Sequence, residues 1–162
     1  MKKINVTVVC AGEAENPGCA ELLAACPELN LVAVATDLED DGIQETLVRC
    51  DVLVMNEAIL DAAGHRSIRK LHDDFPQLRS LMVVDGEYEY KTLAAVSLGV
   101  QGVIGQSSMV AMLRKAVVAI YSGEAWLSRG LVQPLRDRVN RGDDPGSWSG
   151  LSNDPGFRGK LN

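Results

Sequence analysis

The chain has 162 residues, 46% of them hydrophobic, and a formal net charge of −6 at pH 7. This length suits one domain with a sizeable core, so a disulfide scaffold is unnecessary. No apolar run approaches the roughly 18 residues of a membrane span, and no export signal opens the chain, which predicts a cytoplasmic protein without a membrane partner. The acidic excess lies within residues 1–128, so this part is expected to repel nucleic acid.

Five short, valine-rich runs predict β-strands that are covered on both faces. In chain order they are residues 4–11, 29–36, 51–56, 81–85 and 102–105. Amphipathic segments separate them. Apolar spacing predicts helices near 19–26, 68–75 and 110–120, and shorter signals predict helices over 40–49 and 88–98.

The last of these apolar stripes and the end of the preceding helix give finer predictions. Val110, Leu113, Val117 and Ile120 are expected to form the buried face of their helix. Gly99 is expected to end the helix before it. Strict alternation of strands and helices predicts an α/β fold with one doubly wound parallel sheet, whose functional site lies at the carboxyl ends of the strands.

The C-terminal part departs from this alternation. Leucine or valine at every fourth residue predicts an additional outer helix over 124–141, which Pro134 either kinks or divides into two short helices. Residues 142–162 are rich in Gly, Pro, Ser, Asn and Asp, which indicates a linker or disordered tail.

The cysteines and histidines show no pattern of a metal or redox site. The spacing of Cys10, Cys19, Cys26 and Cys50 fits neither a C-x-x-C pair nor a zinc ligand set, and predicts buried small hydrophobic residues. His65 and His72 are seven residues apart near two aspartates, which predicts a solvated helix face rather than a metal site.

Four segments carry a resemblance to a known family: CDVLVMNEAILDAAG (50–64), FPQLRSLMVVD (75–85), AAVSLGVQGVIGQSS (94–108) and AIYSGEAWLSRGL (119–131). Residues 4–135 resemble the receiver domain of LuxR-type (NarL/FixJ-type) response regulators. The resemblance implies a flavodoxin-like (βα)5 fold with strand order 2-1-3-4-5, an extra C-terminal helix, and a receiver-like domain over 1–123.

The resemblance also implies which positions would carry phosphoryl chemistry. Receivers place two Mg²⁺-binding acids after the first strand, a phosphoacceptor Asp ending the third, a Ser/Thr ending the fourth and a Lys ending the fifth. The corresponding residues here are the Cys10-Ala11-Gly12 region, Asn56, Asp85 and Gln106, and Val103 stands at the aromatic switch position. We therefore expect a degenerate, non-enzymatic phosphoacceptor pocket without Mg²⁺ or another cofactor.

Two interpretations of the degenerate pocket stay open. The Asn56 amide could donate hydrogen bonds to the Asp85 carboxylate and lock one conformation. Alternatively, the residues have drifted in a site that is no longer used.

Trp126-Leu127-Ser128-Arg129 is similar to the W-[FLM]-[ST]-R motif with which some LuxR-class biofilm regulators bind cyclic di-GMP. An indole can stack on guanine, and an Arg fork can contact a guanine edge or a phosphate. A structural interpretation stays open beside it, in which Trp126 and Leu127 only dock the outer helix.

The function implied is an atypical, phosphorylation-independent receiver that acts as a homodimer. The fifth predicted helix, with Met112, Ala116 and Ala119, and the outer helix, with Leu131, Leu135 and Val139, are expected to form the dimer surface. Alternatively, the outer helix alone covers the extra apolar width of the fifth helix. DNA would be bound only through a further domain that we expect beyond residue 162, and a partner histidine kinase is left open. The alternative is a stand-alone receiver-like adaptor that binds proteins and has no DNA output.

Overall fold

The computed structural model describes residues 2–10, 18–38, 41–56, 58–59, 64–84, 93 and 95–127. The strands are β1 (Ile4–Val9), β2 (Leu29–Ala35), β3 (Val52–Asn56), β4 (Arg79–Val84) and β5 (Gly102–Gly105). The helices are α1 (Cys19–Ala24), α2 (Asp41–Leu47), α3 (Gly64–Asp74) and α4 (Met109–Tyr121). Residues 93 and 95–97 are also helical. Within these ranges, no helix combines the length and apolarity that crossing a bilayer requires.

The five strands form one parallel sheet in the order β2-β1-β3-β4-β5. This confirms the predicted flavodoxin-like fold. β4 begins at Arg79, two residues before the prediction, because the polar Ser80 is part of the strand. Ser80 is fully buried, and its backbone N–H donates a hydrogen bond to Oε1 of Gln101 at 2.8 Å.

Both faces of the sheet are covered, which explains why every residue of β3 is buried. Successive side chains of a strand point to opposite faces. Val52 and Val54 therefore join the cluster beneath α1 and α4, whereas Leu53 and Met55 join the cluster beneath α2 and α3. The sheet separates these two halves of the core.

The buried stripe of α4 differs from the predicted one at its first position. It consists of Met109, Leu113, Ala116, Val117 and Ile120. Val110 is 80% exposed, so its assignment to the core was wrong. Val110 lies in the first turn on the flank of this stripe, where Met109 already fills the core position.

The chain after α4 returns to the sheet instead of starting another helix. Gly123, with φ +95°, follows the end of α4. The N–H of Trp126 donates to the Gln101 carbonyl at 3.1 Å, and the Trp126 carbonyl accepts from the N–H of Val103 at 2.8 Å. Trp126 therefore forms a parallel bridge with Gly102 of β5. Residues 124–127 are not helical, so the predicted outer helix over 124–141 does not begin at Glu124. The remaining residues of that helix, and the tail over 142–162, lie outside the described residues.

Candidate functional site at the carboxyl edge of the sheet

The carboxyl ends of the strands meet at one edge, where open parallel sheets bind their ligands. Cys10 follows β1, Asn56 ends β3 and Gln106 follows β5. The β1–β3 ladder pairs Val9 with Met55, and so brings Cys10 beside Asn56. The backbone N–H of Asn56 donates a hydrogen bond to the Cys10 sulfur.

The structure describes four of the predicted pocket residues, of which Cys10 is buried. Asn56 is 5% exposed. Val103 is half-buried and packs against the cluster beneath α2 and α3, whereas Gln106 is exposed. Ala11, Gly12 and Asp85 lie outside the described residues, so the pairing of Asn56 with Asp85 stays a prediction.

The described donors at this edge do not fit a Mg²⁺ ion. Mg²⁺ prefers hard oxygen ligands in an octahedral arrangement, whereas Cys10 offers sulfur and Asn56 an uncharged amide. Across the residues that the structure describes, no three His, Cys, Asp or Glu side chains come together as a metal site. An amide is also not a phosphoryl nucleophile. These residues suit hydrogen bonding and packing.

Sulfur atoms form a cluster that the cysteine spacing did not reveal. The cluster consists of Cys10, Cys19 and Met109, which are 3%, 0% and 2% exposed. The thiols of Cys10 and Cys19 are hydrogen bonded to each other. Cys19 Sγ donates a hydrogen bond to Met109 Sδ at 3.1 Å. The sequence did indicate where one member of the cluster lies. Cys10 directly follows a predicted strand, so it had to lie at the carboxyl edge of the sheet.

The hydrogen bond between the two thiols shifts their pKa values in opposite directions. The pKa of Cys10 is lowered by its hydrogen bond with Cys19 and, to a smaller extent, by that with the Asn56 backbone, which together outweigh burial. The same bond, followed by burial, raises the pKa of Cys19.

Trp126 is held by its backbone against β5. Its side chain is half-buried and packs against the cluster beneath α1 and α4, and Leu127 is half-buried too. A Cβ added at Gly102 would lie 3.0 Å from the Trp126 Cβ, so the glycine permits this close approach. Ser128 and Arg129 lie outside the described residues, and nucleotide binding by the Trp126–Arg129 segment stays a prediction.

The prediction of a solvated face was wrong for His72. Its Nδ1 donates to the Ile68 carbonyl oxygen at 2.9 Å, which leaves Nε2 of the neutral ring to accept from the Ser80 hydroxyl at 2.8 Å. Burial lowers the pKa of His72. The neutral imidazole therefore ties α3 to β4. The side chain of His65 lies outside the described residues.

A groove of about 1120 Å³ opens at the opposite, amino edge of the sheet. Its walls carry side chains of both charges, among them Lys2, Arg49, Asp51 and Arg79. Asp51 Oδ2 already accepts a hydrogen bond from the backbone N–H of Asn5 at 2.8 Å. We place the candidate site at the carboxyl edge instead, because the strand ends bring the sulfur cluster and Asn56 together there.

Comparison of the sequence with known proteins gives one informative relative, and no family model matches the chain. The chain is 26% identical over 144 residues to the DNA-binding transcriptional activator DevR/DosR of Mycobacterium tuberculosis. The alignment covers 86% of this chain and 66% of that protein. The chain thus spans a little less than two thirds of the relative's length.

The structure is similar to solved response regulators. The isolated REC domain of RcsB from Salmonella enterica serovar Typhimurium has a TM-score of 0.67 at 19% identity, with 83% of this chain and 99% of that one covered. A LuxR-family two-component response regulator from Aurantimonas sp. SI85-9A1 gives 0.69 at 21% identity, with 85% and 99% covered. The fold is that of a response-regulator receiver domain. A structure of RcsB dimers bound to DNA gives 0.67 at 13% identity, with 99% and 94% covered. With the strands of this fold numbered in chain order, Asn56 ends the third strand and Gln106 follows the fifth strand.

Proposed function

We propose that this chain is the atypical receiver domain of a LuxR-type transcription regulator and that it signals without phosphorylation of residue 56. The observation that carries the proposal is the buried amide of Asn56 at the last position of β3, where phosphorylatable receivers have an aspartate. The domain is not an enzyme, needs no Mg²⁺, and works in the cytoplasm.

Control of DNA binding is the proposed output. The similarity to a DNA-binding transcriptional activator and to RcsB supports it. DNA is contacted by a separate domain, since residues 1–128 carry 10 Lys/Arg against 18 Asp/Glu and repel a phosphate backbone. A stand-alone adaptor is the competing proposal. Specific DNA binding by the full-length gene product supports the regulator, and its absence supports the adaptor.

Dimerisation is the proposed way in which the domain acts. Away from its buried stripe, α4 exposes Val110, Met112 and Val118 at 80%, 37% and 36%. Ala119 is half-buried, but Ala116 is fully buried and cannot belong to the predicted dimer surface, because it faces the core. RcsB, a protein of the same fold, is described as a dimer on DNA, which supports this mode of action. Leu131, Leu135 and Val139 lie outside the described residues.

We expect acetyl phosphate with Mg²⁺ to leave both the wild-type chain and Asn56→Asp unphosphorylated. An aspartate at 56 restores the nucleophile, but neither the metal ligands after β1 nor the lysine after β5 is restored with it, and charge compensation supplies most of the rate of phosphoryl transfer. Intact-mass spectrometry measures the phosphoryl group, and analytical ultracentrifugation measures whether the dimer fraction changes.

Asn30→Asp is the matched control, because it makes the same change at an exposed position of β2. It should behave like the wild type. Phosphorylation of Asn56→Asp, but not of Asn30→Asp, would show that the pocket is competent and contradict the proposal. A dimer that forms only with acetyl phosphate would contradict it too.

Cyclic di-GMP binding is a second candidate function, favoured by the partly accessible indole of Trp126 beside β5. We expect saturable binding by isothermal titration calorimetry, lost in Arg129→Ala because the fork that contacts guanine or phosphate is removed. Arg66→Ala on the exposed face of α3 is the control and should bind normally. Trp126 itself is unsuitable for substitution, since it packs on the core. If titration with tens of micromolar cyclic di-GMP gives no binding heat, this second function is ruled out.

A further inference from the structure

A series of hydrogen bonds connects the imidazole of His72 on α3 with the backbone of Trp126 beside β5. We propose that His72 senses acid: protonation of its ring loosens the joint between α3 and β4 and, through Gln101, frees Trp126 from β5. This inference goes beyond the proposed function and does not depend on it, because it concerns contacts within this domain alone.

The first argument is the direction of the hydrogen bonds at the ring. The Ile68 carbonyl can only accept, so Nδ1 of His72 carries the proton, and Nε2 of the neutral ring accepts from the Ser80 hydroxyl at 2.8 Å. Protonation places a second N–H at Nε2, which can then no longer accept. The Ser80 hydroxyl must turn its own proton away, and water cannot bind that proton, because Ser80 is fully buried.

The second argument is that the ring has little room to turn. A Cβ added at Gly99 would lie 3.0 Å from Cγ of His72 and 3.2 Å from its Nδ1, so the ring lies directly on the backbone of residue 99. The ring therefore cannot swing towards Gly99 when its bond to Ser80 is lost. Separation of α3 from β4 accommodates the charged ring instead, because it lets water reach Nε2.

The third argument is that, among the described residues, the ring has no charged partner across the joint. Ser80 of β4 and Gly99 contact the ring, and neither is charged. Arg79 precedes Ser80, but its guanidinium donates to the backbone carbonyl of the last residue of α4. On α3 itself, the Asp73 carboxylate is the charged group that acts on the ring. A proton on His72 therefore gains no counter-ion from β4.

The balance of these effects sets the pH at which the joint weakens. Burial lowers the pKa of His72 and outweighs the Ile68 carbonyl and the Asp73 carboxylate, which both raise it. The folded domain thus binds the proton less tightly than an unfolded chain, whose histidine has a pKa of about 6.5. The joint is intact at neutral pH and loses stability as the pH falls below that value.

The connection to Trp126 passes through Gln101. The N–H of Ser80 donates to Oε1 of Gln101 at 2.8 Å, and the N–H of Gln101 donates to the Ser80 carbonyl at 3.1 Å. The Gln101 carbonyl accepts from the N–H of Trp126 at 3.1 Å. Gln101 also lies two residues after Gly99, on which the ring packs. A movement of Ser80 or Gly99 therefore displaces the carbonyl that holds Trp126.

NMR titration of the isotope-labelled full chain from about pH 8 to about pH 5 tests the proposal. We expect the His72 ring to titrate with a midpoint below about 6.5. The backbone amide signals of Ser80 and Trp126 should shift with the same midpoint. Far-UV circular dichroism should stay constant through that midpoint, because the joint opens locally while the rest of the domain stays folded.

Separate variants test the role of each partner. In His72→Gln, the Trp126 amide should lose its pH response, whereas the matched control His65→Gln on the same helix should keep it. Ser80→Ala removes the hydroxyl that favours the neutral ring, so the affinity of His72 for a proton should rise about threefold to tenfold. If a variant fails to fold, the shared midpoint of His72 and Trp126 in the wild type remains the test.

Four results would overturn the proposal. The first is a Trp126 amide that stays constant while the His72 ring titrates, because the effect would then end at Ser80. The second is a Trp126 response that persists in His72→Gln or disappears in His65→Gln. The third is a His72 midpoint at or above about 6.5. The fourth is loss of the far-UV signal at the His72 midpoint, because the domain would then unfold as a whole.

Discussion

Leu81→Ala should lower the free energy of unfolding by about 2–5 kcal/mol, as expected for a large-to-small change in a well-packed core. Leu81 is fully buried in β4 and belongs to the cluster beneath α1 and α4. Leu81 pairs with Val54 of β3 and with Gly102 of β5, and its cluster also contains residues of α1 and α4. Because the sheet holds these neighbours in place, they cannot collapse freely into the space that is left. Urea unfolding followed by far-UV circular dichroism measures the change.

Val48→Ala is the control for this truncation. Val48 is 75% exposed, so its loss should change the free energy of unfolding by no more than about 0.5 kcal/mol. Equal effects of the two substitutions would show that β4 is not central to the core.

Gly99→Ala should cost about 1–3 kcal/mol of stability, the range for a residue forced into an unfavourable backbone region. Gly99 has φ +110°, and an added Cβ would lie 3.0 Å from Cγ of His72. The imidazole cannot easily move aside, because it is hydrogen bonded to Ile68 and Ser80. Thermal and urea unfolding measure the loss.

Gly105→Ala is the matched control for that substitution. A Cβ at Gly105 would have its nearest neighbour at 3.8 Å, and the backbone there is ordinary extended chain. A stability within about 0.5 kcal/mol of the wild type is expected. The clash can be separated from the backbone strain with His72→Ala, since only the clash should disappear in the double variant. Additive effects would show that the imidazole does not resist the new methyl group.

The strands of this fold were predictable because each is a local signal. A strand covered on both faces is mostly apolar. β1 and β3 fit this description, apart from Asn5 and Thr7 in β1 and Asn56 at the end of β3. The burial of Ser80 and the exposure of Val110 could not be predicted from the hydrophobicity of these residues. Ser80 is buried because Gln101 and His72 supply its partners, and Val110 is exposed because Met109 takes its place.

At Trp126, the spacing of apolar residues also failed to predict the local structure. Its helical spacing of leucines was real, but backbone hydrogen bonds to Gln101 and Val103 were available beside the edge strand β5. An unpaired strand edge offers donors and acceptors that a sequence pattern does not display. The bridge between Trp126 and Gly102 follows from that edge.

By itself, the sequence determined the alternation of strands and helices and the amide at the end of the third strand, because apolar periodicity and residue identity are local properties. The tertiary structure alone decided that Cys10 lies against Cys19 and Asn56, and that Met109 packs on Cys19. These contacts join residues distant in the chain, and they exist only because the strand order and the packing of α1 and α4 bring the ends of those elements to one edge of the sheet.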